Sequence, residues 1–140
     1  MNESEADVIE RVSNAFAGAV GPARFRYPES GWWYEQEGKE IATYIVHYAD
    51  KTDEKIPVKY GEDVRDWWVN PDRNKLTNAK VAWTGSNEAA SAMDRKVALY
   101  AVVWKNPHPE KQVSTIDFVS KNTMCDPFLV ALSLEKAEAK

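Results

Sequence analysis

Residues 41–68 read IATYIVHYADKTDEKIPVKYGEDVRDWW, and their alternation decides the fold. Ala42, Tyr44, Val46 and Tyr48 fall on one side of an extended chain, with Ile41, Thr43, Ile45 and His47 on the other. Both sides are partly apolar, so a strand covered on both faces is expected. In the return segment Ile56, Val58 and Tyr60 share one face and Lys55, Pro57 and Lys59 the other, the alternation of a half-buried strand. Pro57 has no amide proton to give a ladder, which places this second strand at a sheet edge or at a bulge. The hairpin then delivers Arg65, Asp66, Trp67 and Trp68 to the end of the sheet.

Upstream, Val8, Ile9, Val12 and Phe16 recur at helical spacing until Gly18, Gly21 and Pro22 end the pattern. A short amphipathic helix over residues 5–17 is expected, either packed on the sheet or forming the tail of a linker. A short strand at 24–27 precedes the loop SGWWYEQEGKE, which holds Trp32, Trp33 and Tyr34. Downstream, Ala79–Trp83 is extended with Val81 and Trp83 inward, and Lys96–Trp104 is a strand with both faces covered. The prolines at 107 and 109 make a rigid turn around His108. Ser114, Ile116 and Phe118 are expected inward, and a last strand at 128–134 with Phe128, Val130, Leu132 and Leu134 on one face. Strands joined by Pro, Gly and Asn turns, with little helix, indicate an all-β antiparallel sandwich. The division expected is residues 1–22 as helical segment or linker, 23–135 as the sandwich and 136–140 as a solvated tail.

Composition narrows the function classes. The chain has 140 residues, 44% of them hydrophobic, which suits one domain with a real core. Eighteen basic against 22 acidic residues give a net charge of −4 with no basic run, so nucleic acid is not the expected partner. No apolar run is long enough to span a bilayer, and MNESEADVIERV is acidic where a signal peptide is basic and then apolar. The expectation is no membrane partner, with the chain cytoplasmic as written or an excised module of a secreted parent. Cys125 is alone, so an intrachain disulfide is excluded and a small buried hydrophobe near the last strand is the natural reading. Six Trp and six Tyr serve cores and ligand platforms equally well.

YIVHYAD, IPVKYGEDVRDWW, AKVAWTG, LYAVVWKNPHPEK, STIDFVS and PFLVALS together resemble a bacterial β-jelly-roll module of the galactose-binding-domain-like class. Such modules stand beside glycoside hydrolases and in other multidomain bacterial proteins, and the resemblance runs from about Arg24 to Leu134. It implies a jelly roll that binds carbohydrate or packs on a neighbouring domain, with no catalytic residues. Two departures stand out. The family's hairpin turn usually reads Ala-Asp-Gly-Thr, whereas here Lys51 occupies the glycine position, so a loop longer than two residues is expected. The family also begins with a further strand or two, replaced here by the helical segment, which would leave a sheet edge open to another chain.

The candidate ligand-binding residues are Trp32, Trp33, Tyr34, Arg65, Asp66, Trp68 and His108. Sugars stack their C–H faces on aromatic rings while charged groups bond the hydroxyls. Each has a plainer reading: Arg65 can clamp its loop through an acidic partner, and the Trp32 loop can plug the core. Trp83 and Trp104 read as core and His47 as a structural histidine. Calcium occurs in related modules, and Asp63 with Asp66 or Asp50 with Asp53 could supply oxygens, but no EF-hand pattern is present and no cofactor is expected. No G-x-S-x-G, phosphate-loop or H-E-x-x-H pattern occurs, and Glu62, Asp63 and Asp66 are the only clustered acids beside aromatics, so catalysis is not expected. Two functions fit: a non-catalytic carbohydrate-binding module, or a structural module that docks on a neighbouring domain or self-associates through an exposed edge.

Overall fold

The computed structural model describes residues 9–18, 20–22, 35–69 and 75–136. The expected strand at 24–27 and the loop of Trp32, Trp33 and Tyr34 lie outside them. In chain order the elements are β1 (Ile9–Gly18), β2 (Val20–Pro22), β3 (Glu40–Tyr48), β4 (Asp53–Lys59), β5 (Lys80–Gly85), α1 (Glu88–Ala92), β6 (Val97–Lys105), β7 (Val113–Ser120), β8 (Cys125–Pro127) and β9 (Ser133–Lys136). They form three antiparallel sheets, ordered β5-β6-β1-β9, β4-β3-β7 and β2-β8. The fold is all-β.

The organising hairpin forms as its alternation requires. β3 is central, with Ile41, Ala42, Thr43, Tyr44, Val46 and Tyr48 buried, so both of its faces are covered. β4 is an edge strand, where the missing amide of Pro57 costs no ladder bond to a further strand. The turn is a three-residue loop: Lys51 N–H donates to the Tyr48 carbonyl (3.0 Å) and Tyr48 N–H to the Thr52 carbonyl (2.9 Å). Lys51 sits at φ 68°, the left-handed region that closes such a loop. The Asp50 carboxylate accepts from the Thr52 amide (3.0 Å) and hydroxyl (2.6 Å) and pairs with Lys111 (2.9 Å), bonds that hold its pKa down at about 2.

One core joins the two larger sheets. Ile41, Ala42, Tyr44 and Val58 meet Ala98, Tyr100 and Val102 of β6, with Tyr60, Val64 and Cys125 in the same cluster. Tyr44 packs against Phe118 with ring centroids 4.8 Å apart. Cys125 is the small buried hydrophobe expected, and burial pushes its thiol up to about 12.

Several expectations are corrected. Of residues 5–17, read as helix, the described part, 9–17, lies in β1, whose Arg11 is opposite Lys105 of β6 and whose Val12 is opposite Leu134 of β9. Val8, Val12 and Phe16 recur every four residues, a spacing that fits a two-residue period as well as a 3.6-residue one. Partners on both sides settle the choice, because strand preference is set by context more than by local pattern. β1 therefore fills the place between β6 and β9, and among the described residues it is strands that precede the hairpin. The short helix is instead α1, in the 85–94 connection, where the Asn87 side chain caps it by accepting from Ala90 N–H (2.8 Å).

The last strand is also displaced. Residues 128–132 are irregular between β8 and β9, with Phe128 and Val130 exposed while Leu129 and Leu132 pack on the core. β9 reaches Lys136, into the stretch read as tail, and Leu134 is exposed. Ser114 is exposed rather than inward, while Ile116 and Phe118 do pack on the core. Trp104 is half-buried, but a register shift between Val81 and Trp83 splits the face they are expected to share: Val81 lies opposite the core residue Tyr100 yet is exposed, and Trp83 lies exposed opposite Leu99 on the outer face.

Candidate binding site

The segment after β4 is a braced loop. Gly61 turns at φ 83° and donates its N–H to the Val64 carbonyl (2.9 Å). The buried Asp63 carboxylate accepts from Lys59 N–H (2.7 Å) and from the Asn78 side-chain amide (2.5 Å). Arg65 makes a bidentate pair with Glu37 (2.6 and 2.8 Å), donates from Nε to the Lys75 carbonyl (2.9 Å), and lies 5.6 Å over the Tyr60 ring. This is the clamp rather than a free guanidinium. A Cβ on Gly61 would stand 1.8 Å from Glu37 Oε2, so the glycine makes room for the clamp.

Asp66 and the tryptophans follow. The Asp66 carboxylate accepts from Trp68 N–H (3.0 Å), its carbonyl accepts from the Tyr100 hydroxyl (2.9 Å), and burial pushes the carboxyl above its ordinary pKa. Trp68 lies opposite Val97, an isolated bridge made by Ala98 N–H to the Trp67 carbonyl (2.7 Å) and Val69 N–H to the Lys96 carbonyl (2.9 Å). On its other side Val97 pairs with Gly85 of β5. Opposed residues share a face, so Trp68, Val97 and Gly85 form one row that crosses β6 and β5 and extends to the bridge residue Trp68.

That row lies on the face turned away from the core, because the alternate residues Ala98, Tyr100 and Val102 are the ones in the core cluster. The Trp83 ring lies over Gly85: a Cβ there would be 2.0 Å from the six-membered ring. An indole so placed has one side on backbone and its other side toward solvent, and Trp83 is 49% exposed. Val97 is only 6% exposed although it faces outward, which fits its position between the two indoles. Trp67 meets Trp68 edge-on (5.0 Å, 61°), and the Arg95 guanidinium stands 5.8 Å from the Trp68 ring centre. Leu99, opposite Trp83, and the exposed Val103 continue the face along β6.

The remaining candidates are elsewhere. His108 lies beside Tyr48 (ring centroids 5.9 Å) and between Glu54 (3.9 Å) and Glu110 (3.7 Å). Tyr48 ends β3 whereas Glu40, opposite Lys59, begins it, and nine residues of strand span ~26 Å. His108 therefore does not join Arg65, Asp66 and Trp68. His47 is held between Asp53 (Nδ1, 2.7 Å) and Asp117 (Nε2, 3.0 Å), as a structural histidine should be. Both oxygens of Asp63 and of Asp50 are engaged within the protein. Among the described residues no three His, Cys, Asp or Glu side chains converge as a calcium site would need. No helix among them is long and apolar enough to cross a membrane.

Of the side chains around this face the sequence singles out Trp68, reads Trp83 as core and gives no sign of Arg95. The signal for Trp83 was Gly85, two residues on and hence on the same face, which gives an aromatic ring bare backbone to lie on. No family model matches the chain, and neither a curated protein nor a solved structure does.

Proposed function

We propose that the chain is a non-catalytic carbohydrate-binding module, a jelly-roll sandwich of the galactose-binding-like class, whose platform is the outer aromatic face around Trp68 and Trp83. The observation that carries this reading is the row Trp68–Val97–Gly85 with the Trp83 ring laid over Gly85. Flat indoles on a rigid sheet suit the apolar face of a pyranose, and the braced loop fixes one of them before any ligand arrives, which lowers the ordering cost of binding. The antiparallel all-β architecture and the quoted motifs support the class. The alternative, a module that docks or self-associates through the 41–60 hairpin and through an edge left by an absent upstream strand, loses the second of these supports to β1 and keeps the first, since β4 is an edge strand.

The test is a glycan-array screen of the purified chain, with tryptophan fluorescence to confirm hits and elution mass recorded in the same buffer. Specific binding that changes the fluorescence, and that is lost in Trp83→Ala with the fold intact by circular dichroism, is the expected result. Silence across the array, or binding undiminished in the Trp68→Ala/Trp83→Ala double variant, would sink it.

A further inference from the structure

The row Trp68, Val97, Gly85 has a length and a composition that discriminate among sugars. Trp68 and Gly85 flank Val97 on opposite sides, so two strand spacings, ~10 Å, separate them. Trp83 is paired with Leu99 in register, yet its ring lies over Gly85, which brings a second indole into the row. The indoles therefore stand at the two ends, with Val97 closed down to 6% exposure between them. The result is a flat apolar strip that runs across the strands. Among the described residues β5 is the edge strand of its sheet, so a ligand longer than the strip has room to continue past that end.

No charged residue belongs to the row itself. Arg95 stands beside the Trp68 ring and within electrostatic reach of the Asp66 carboxylate, so its charge is met inside the protein. Lys80 lies opposite Ala101, and the levels of Val97 and Ala101 on β6 are ~13 Å apart. Recognition on this strip is therefore a matter of ring stacking and not of charge.

We propose that the row binds a neutral, unbranched, β-linked hexose chain of the cellulose type in its extended form. This rests on the carbohydrate reading above and deepens it. In such a chain each sugar is turned over relative to the one before, so the same ring face recurs at every second sugar, and the length of that two-sugar repeat matches the separation of the indoles. Trp68 and Trp83 each stack one sugar, and Val97 lies beneath the sugar between them. Once one indole holds the chain, stacking on the other is an intramolecular step, so affinity rises sharply when the chain is long enough to reach both. A coiled, α-linked chain does not keep alternate rings in one plane and reaches only one indole at a time.

The experiment titrates the intact chain, followed by tryptophan fluorescence, with glucose, cellobiose, cellotriose, cellohexaose, maltohexaose and a galacturonate hexamer. The expected result is an affinity about tenfold or more higher for cellotriose than for cellobiose, and for cellohexaose than for either of the other two hexamers. Gly85→Ala, whose Cβ displaces the Trp83 ring, is expected to lower cellohexaose affinity to that of cellobiose. Glucose or maltohexaose bound as tightly as cellohexaose would overturn the extended-chain assignment, and tighter binding of the galacturonate hexamer would overturn neutrality; both leave the carbohydrate reading standing. Binding of other glycans on the array but of none of these sugars would do the same, whereas silence across the array would overturn both readings. Cellohexaose affinity unchanged in Gly85→Ala, with thermal unfolding showing the variant folded, would remove Trp83 from the row.

Discussion

The outer faces of the two larger sheets solve the same problem in opposite ways. On the three-stranded sheet, β3 sends His47 outward, and its ring is bonded on one side to Asp53 of β4 and on the other to Asp117 of β7. Every strand of that sheet contributes to the strap, and the groups that could bind a ligand are already bound to each other. On the four-stranded sheet the outward residues of β5 and β6 include Trp83, Val97, Leu99 and Val103, with Trp68 beside them, and this apolar surface is left half open. A polar surface closed on itself stabilises; an aromatic surface half open among the described residues has the character of a binding platform. The difference is the reason the proposed platform is assigned to one sheet and not the other.

The largest expected effect comes from removing what lies beneath the aromatic face. Tyr100 is fully buried in β6 and donates its hydroxyl to the Asp66 carbonyl, tying the Trp68 loop to the sheet. Tyr100→Ala is expected to cost ~3–5 kcal/mol, as large aromatic truncations in cores do, measured by denaturant unfolding. A loss below ~1 kcal/mol would mean that the loop is not supported from within.

Gly61→Ala acts on the same face more gently. It forces a Cβ onto a residue at φ 83° and into Glu37, displacing the clamp on Arg65. The expected cost is about 2 kcal/mol, with altered fluorescence of the loop tryptophans. An unchanged emission spectrum would detach Trp67 and Trp68 from the clamp.

Lys51→Gly probes the hairpin of the other sheet. A lysine at φ 68° bears a left-handed strain that glycine escapes, so a gain of about 1 kcal/mol is expected, read as a higher unfolding midpoint with no change in ligand binding.

The strap itself gives the smallest and most directional effect. Hydrogen bonds to Asp117 and Asp53 raise the pKa of His47 above its ordinary value. The folded state therefore holds the proton more tightly than the unfolded one. The strap's stabilisation is fully present below about pH 6.5, the unfolded value, and is lost as pH rises through the raised folded value. Comparing thermal unfolding of the wild type and His47→Gln from pH 5 to 9 checks this. The two curves should converge at the alkaline end, and a constant gap would refute the linkage.

Of the described members of the expected site set, Arg65, Asp66 and Trp68 come together, and Arg65 and Asp66 are occupied in bracing the loop rather than turned to solvent. His108 belongs to the far end of the hairpin, and Trp32, Trp33 and Tyr34 lie outside the described residues.

What the sequence determined by itself is local and periodic: the two-residue alternation of β3 and β4, the edge position that Pro57 demands, and the longer turn that Lys51 forces. These follow from backbone stereochemistry within a few residues. What only the tertiary structure decided is pairing. A spacing of four residues could not tell helix from strand in β1 until β6 and β9 flanked it. The outward aromatic row exists because Val97 meets Gly85 on one side and Trp68 on the other, residues brought from distant parts of the chain. Which face a residue takes is written in its phase, but whether that face is covered depends on what the rest of the chain lays over it.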